Sequence, residues 1–197
     1  GGAIGADGQR IETSGVNTLA AESVGAQWLR QTSGDLIVGA VTALKPNDVG
    51  GTDKAGLVTT AGNAPINLDV TAGNLTVISN ISANGSGSID LRTGGTNKAI
   101  ALNGATLSST SGQVQVLASG DISTSTANGT TTEIGTAGSV LLQAAGTIGA
   151  DGRRIELQDV ATLASQAGGD TWLRKLDGTS NDLLIGAVTA LNPSATF

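Results

Sequence analysis

The chain has 197 residues, 30 of them glycine, a net charge of −6, and no histidine, cysteine, methionine or tyrosine. That composition excludes a Ser-His-Asp triad, a Cys-His dyad, a His-ligated or cysteine-ligated metal and any disulfide. Ten scattered cations against sixteen carboxylates argue against nucleic acid as a partner, and the longest strongly apolar run, Leu183 to Val188, is too short for membrane insertion.

In chain order, GGAIGADGQRIE opens with an Asp-Gly turn at Asp7-Gly8, followed by Arg10 and Glu12. Thr18–Arg30 (TLAAESVGAQWLR) is interrupted by Gly25, which predicts two short strands and a turn rather than a helix. GDLIVGAV from Gly34 is strand-like, and the stretch 46–65 (PNDVGGTDKAGLVTTAGNAP) predicts a loop excursion carrying Asp48, Asp53 and Lys54. Beyond it come GNLTVISNIS from Gly73, GSIDLRTGG from Gly87, GQVQVLASGDIST from Gly112 and GSVLLQAAGTIGA from Gly138. The last two share G-x-V-x-[VL]-x-[AS]-x-G-x-I, whose alternation is that of a strand with one buried face.

From Gly146 the opening returns as GTIGADGRRIE. Gly2–Arg30 and Gly146–Arg174 share 17 of 29 residues, and Asp35–Pro46 matches Asp182–Pro193 at 9 of 12. The chain therefore divides into one tandem unit, 1–145, and the start of the next, 146–197, and reads as a segment of a longer array. Shared strand motifs, short aliphatics at alternating positions and only three aromatics, Trp28, Trp172 and Phe197, favour an all-β solenoid of parallel strands over a sandwich. The motif spacing gives about 25 residues per coil.

GSVLLQAAGTIGADGRRIEL and GQVQVLASGDIST resemble the filamentous haemagglutinin-like repeats of large secreted bacterial adhesins of the two-partner-secretion type. The resemblance implies a right-handed parallel β-helix, export across a Gram-negative outer membrane by a partner transporter, and a place on the cell surface as an extracellular fibre in attachment or biofilm. The expected partners are neighbouring repeats of the same chain, other copies of the fibre, and host or matrix glycans. No catalysis and no cofactor are expected.

Two recurring clusters are candidate sites. Asp7, Arg10 and Glu12 return as Asp151, Arg154 and Glu156; they read as a turn with a charge pair, or as a small cation or sugar site. Trp28 with Arg30 and Trp172 with Arg174 are the candidate ligand contacts, as sugar-stacking platforms; the structural alternative is a Trp closing the core with Arg30 or Arg174 on its ring. Two other functions remain open: a polysaccharide-degrading β-helix enzyme, which needs clustered carboxylates, and a calcium-rigidified array of β-sandwich adhesin repeats with antiparallel strands.

Overall fold

The computed structural model describes residues 2–43, 52–176 and 182–191, an all-β structure with no helix among them. The chain visits three sheets in a fixed order. The first visit is β1 (Ile11–Thr13), β2 (Thr18–Leu19) and β3 (Ala21–Ser23); the second is β4 (Gln27–Gln31), β5 (Leu36–Val38) and, after β6 (Ala40–Val41) and β7 (Lys54–Ala55), β8 (Leu57–Thr59). The third is β9 (Ile66–Val70), β10 (Leu75–Val77) and β11 (Ile81–Ala83), and the fourth β12 (Ile89–Thr93), β13 (Ile100–Leu102) and β14 (Leu107–Ser109). The fifth is β15 (Val114–Ala118), β16 (Ile122–Ser123) and β17 (Ile134–Gly135). Then β18 (Ser139–Ala144) leads through a bridge at Ile148 to β19 (Ile155–Gln158), and β20 (Thr162–Ala167) through Thr171 to β21 (Leu173–Lys175), before β22 (Leu184–Ile185).

First members of each visit make an eight-stranded sheet, second members a five-stranded one and third members a seven-stranded one. Pairing within all three is parallel; β6 and β7 pair antiparallel, outside them. In the eight-stranded sheet Ile66 pairs with Ile89, Ile89 with Val114, Val114 with Val140 and Val140 with Leu163, separations of 23, 25, 26 and 23 residues. Parallel neighbours need a long connection, and here the other two sheets supply it. The architecture is compatible with a β-solenoid.

The register stacks like on like. Ile66, Ile89, Val114, Val140 and Leu163 form one buried column, and Leu68, Leu91, Val116 and Leu142 another. The five-stranded sheet contributes Leu36, Leu75, Ile100 and Ile122, and the seven-stranded sheet Leu57, Ile81, Leu107, Ile134 and Leu157. All of these belong to one hydrophobic cluster. Each such side chain contributes about 1.5–3 kcal/mol on burial, which is how two- and three-residue strands persist.

Corners are fastened by Asx side chains that accept a backbone N–H from the next layer. Asp35 Oδ1 accepts from Asn74, Asn74 Oδ1 from Ala99, Asn80 Oδ1 from Thr106, Asn103 Oδ1 from Ser125 and Asp121 Oδ1 from Thr147, at 2.7–3.1 Å. Glycine is required where the chain turns into the long sheet: a Cβ on Gly112 would lie 2.1 Å from the Gly87 carbonyl oxygen.

Three sequence expectations change. Of the predicted excursion 46–65, residues 46–51, with Asp48, lie outside the described residues; Leu57–Thr59 is a buried strand, so the chain is back in the stack by Gly56. The long separation of 39 residues from Gln27 to Ile66 shows that this layer carries the extra chain, beginning at Ala40. Thr18–Arg30 forms three strands rather than two, because corners fall at both Ala20 and Val24–Ala26. GNLTVIS lies in the five-stranded sheet, whereas GSIDL, GQVQV and GSVLL lie in the eight-stranded one.

Candidate functional site

The opening motif folds the same way in both copies. Ile4 and Gln27 form a parallel bridge, as do Ile148 and Thr171, and the residues between Ile4 and Ile11, or Ile148 and Ile155, are thrown outward as a tight turn. Ala6 and Gln9 exchange backbone hydrogen bonds at 2.9 Å, and Ala150 and Arg153 at 2.9 and 3.0 Å. Gly8 and Gly152 adopt φ of +74° and +75°, which glycine takes without a side-chain clash. Asp7 and Asp151 sit exposed on these turns.

The turn brings two motifs together that are separate in sequence. Its arginine, not the one following tryptophan, covers the indole: the Arg10 guanidinium lies 5.8 Å from the Trp28 ring centre, and Arg154 lies 5.7 Å from Trp172. Arg30 instead donates from Nη1 to Glu12 at 3.1 Å and from Nε to Asp69 at 3.3 Å, and Arg10 approaches Asp69 at 3.9 Å. Arg174 donates to Glu156 at 3.3 Å. The stacking of Arg30 or Arg174 on tryptophan expected from sequence therefore does not occur; strand register explains this, since Arg30 is opposite Glu12 and Asp69, and Arg174 opposite Glu156. Each candidate ligand-contact pair belongs to a four-residue assembly of Trp, two Arg and Glu, with one ring face under a cation.

Surroundings differ between the copies. Glu12 is exposed, whereas Glu156 is buried beside Glu133, its neighbour in register through Ile134 and Leu157. The stretch 124–132 closes over them: Glu133 Oε1 accepts from the Thr124 and Thr126 hydroxyls, Glu133 Oε2 from Glu156 N at 2.9 Å, and Glu156 Oε1 from Gly129 N at 2.5 Å. Glu156 Oε2 and Arg154 Nε are buried without a hydrogen-bond partner. Sequence gives no sign of this pairing of Glu133 with Glu156, because 23 residues separate them.

The copies also sit on different sheets. Ile11–Thr13 and Gln27–Gln31 belong to the eight-stranded sheet, but Ile155–Gln158 and Leu173–Lys175 belong to the seven-stranded one; Leu36–Val38 is in the five-stranded sheet and Leu184–Ile185 in the eight-stranded one. The counterparts of β1, β2, β4 and β5 are thus displaced by one sheet in the same sense, whereas the counterpart of β3, residues 165–167, continues β20 in the eight-stranded sheet.

Among the described residues no group of three or more His, Cys, Asp or Glu is placed to hold a metal. Asp53 accepts a hydrogen bond from Ala43 N at 3.0 Å beside the β6–β7 ladder. Around Trp28 both arginines meet carboxylates, Arg10 at Asp69 and Arg30 at Glu12 and Asp69, whereas around Trp172 the ion pair shown is Arg174 with Glu156. Compared with family models, curated proteins and solved structures, the chain matches none of them.

Proposed function

We propose that the chain is a structural, non-catalytic segment of a secreted bacterial surface fibre, an adhesin stalk used in attachment and biofilm. The observation that carries this is the stacking of like on like: the same class of short aliphatic recurs at the same place in layer after layer, with each layer hydrogen-bonded to the next. Such a stack extends in one direction by adding layers and needs no other domain to bury its core. In finer detail the fold is a right-handed parallel β-helix of about 25 residues per coil. The separations of 23 to 26 residues in the central layers support the coil size, and the strong physical preference for right-handed crossovers between parallel strands supports the hand. The parallel pairing is the opposite of what a sandwich array requires.

On this reading the location is the cell surface, and the route there is an outer-membrane transporter. A chain without cysteine crosses an oxidising compartment without being trapped by disulfides. Contacts to glycans are assigned to Trp28 with Arg30 and Trp172 with Arg174, whose Trp-Arg-Glu assemblies recur in both copies.

The test is antibody labelling of intact producing cells, with attachment measured after deletion of the segment. Labelling of unbroken cells together with reduced attachment is expected. Labelling only after permeabilisation, or turnover of a glycan by the purified chain, would overturn the proposal.

A further inference from the structure

Alternate residues of the eight-stranded sheet face outward, and on β12 and β15 these should be wet. Ile89, Leu91, Val114 and Val116 point into the core, so Asp90, Arg92, Gln115 and Leu117 point away from it. Yet these four are only 2%, 5%, 0% and 4% exposed, while Gln166, at an outward position of β20, is exposed. The main chain of Thr189 and Leu191 lies against this face. Gln115 Nε2 donates to the Leu191 carbonyl at 3.0 Å and Gln115 Oε1 accepts from Leu191 N at 2.8 Å. Gln113 Nε2 donates to the Thr189 carbonyl at 2.9 Å, and Arg92 Nη2 donates to the Leu191 carbonyl.

Three features mark this as a built surface. Gln113 and Gln115 are two residues apart and meet residues two apart, Thr189 and Leu191, so the amides match the repeat of an extended chain running alongside β15. Every one of these bonds is to main chain, so the face reads an extended backbone and leaves the side chains free to be small and apolar. The Asp90 carboxylate accepts from Arg92 Nε at 2.9 and 3.0 Å and from Gln115 Nε2 at 2.8 Å, which holds both donors in position.

The same segment exists in the first copy as Gly39–Ala43. There it also leaves its sheet after the equivalent strand, with Ala40 and Val41 exposed and paired to Lys54–Ala55. We propose that the outer face of the long sheet at β12 and β15 is a main-chain-reading dock for the GAVTAL segment of the following repeat, an interaction surface that latches each repeat onto the one before it. The proposal rests on the tandem-repeat reading of the chain; its test is made within a single chain, so its failure would leave that reading and the fibre reading intact.

The test is amide hydrogen exchange on the whole chain, comparing wild type with Gln115→Ala and with Leu191→Pro. Leu191 N–H is expected to be protected in the wild type and to exchange at least about tenfold faster in Gln115→Ala, with Leu91 and Val116 unchanged. Leu191→Pro, which deletes the donor at a position outside the core, is expected to raise solvent exchange of the Gln115 side-chain amide by a similar factor. Unprotected Leu191 in the wild type would overturn the proposal. So would protection that falls on dilution, because the face would then join separate copies of the chain.

Discussion

Arg10 and Trp28 come from opposite ends of the first copy's opening motif and meet because the Asp7-Gly8 turn projects outward beside β4. Trp28 and Trp172 are the only tryptophans, and tyrosine is absent, so a Trp172→Phe chain reports on Trp28 alone. In that background Arg10→Ala is expected to red-shift the emission and to cost about 0.5–1 kcal/mol; an unchanged spectrum would show that the guanidinium does not shape the ring's surroundings. Ion pairs should separate sharply by burial. Asp90 and Arg92 are both nearly inaccessible, so Asp90→Ala strands a buried cation and should cost about 3–5 kcal/mol in a urea titration. Glu12 and Arg30 are half-exposed, and Glu12→Ala should cost less than about 1 kcal/mol. Equal costs would contradict the burial assigned to the first pair. Sequence shows that Arg10 and Trp28 recur, but not that they touch, since contact depends on the throw of a turn and the register of a strand 18 residues on.

Among elements, the strands of the long sheet were the most legible; GDLIVGAV and GNLTVIS also read as strands, but not as members of a different sheet. GSIDL, GQVQV and GSVLL carry enough alternation to show a buried face, and each begins at a glycine whose absent Cβ lets the previous layer's carbonyl approach. Leu75–Val77 and Leu107–Ser109 are three residues long, too short for a period, and their sheet is set by the corners before them. Those corners use Asn and Asp as acceptors from the next layer, a composition that marks a turn without saying where the chain goes next. Two glycines test this division. Gly112→Ala places a methyl 2.1 Å from the Gly87 oxygen and should destabilise by about 1–3 kcal/mol or more, with lost ladder protection at Val114 and Val116. Gly104→Ala meets nothing within 4 Å and bears only the penalty of its positive φ, about 1–2 kcal/mol, with the ladder intact. The reverse order in thermal unfolding would contradict the close approach at Gly112.

For the molecule as a whole, the sequence repeat and the structural repeat are out of step. If the 144-residue offset of the opening motif holds along an array, each repeat advances five full circuits and two of the three sheets, as the move from the eight-stranded to the seven-stranded sheet shows. Equivalent Trp-Arg-Glu assemblies would then face successive sides of the rod and return to the same side after three repeats. Alignment cannot reveal this, because a sequence offset becomes a rotation only when the residues per circuit are known layer by layer. Small-angle scattering from chains of one, two and three repeats shows whether the chain lengthens by stacking layers. Layers spaced about 4.8 Å apart give an increase in maximum dimension of about 27 Å per repeat. An increment of about 40 Å or more would mean that each repeat is a separate bead and that the stack does not continue from one to the next.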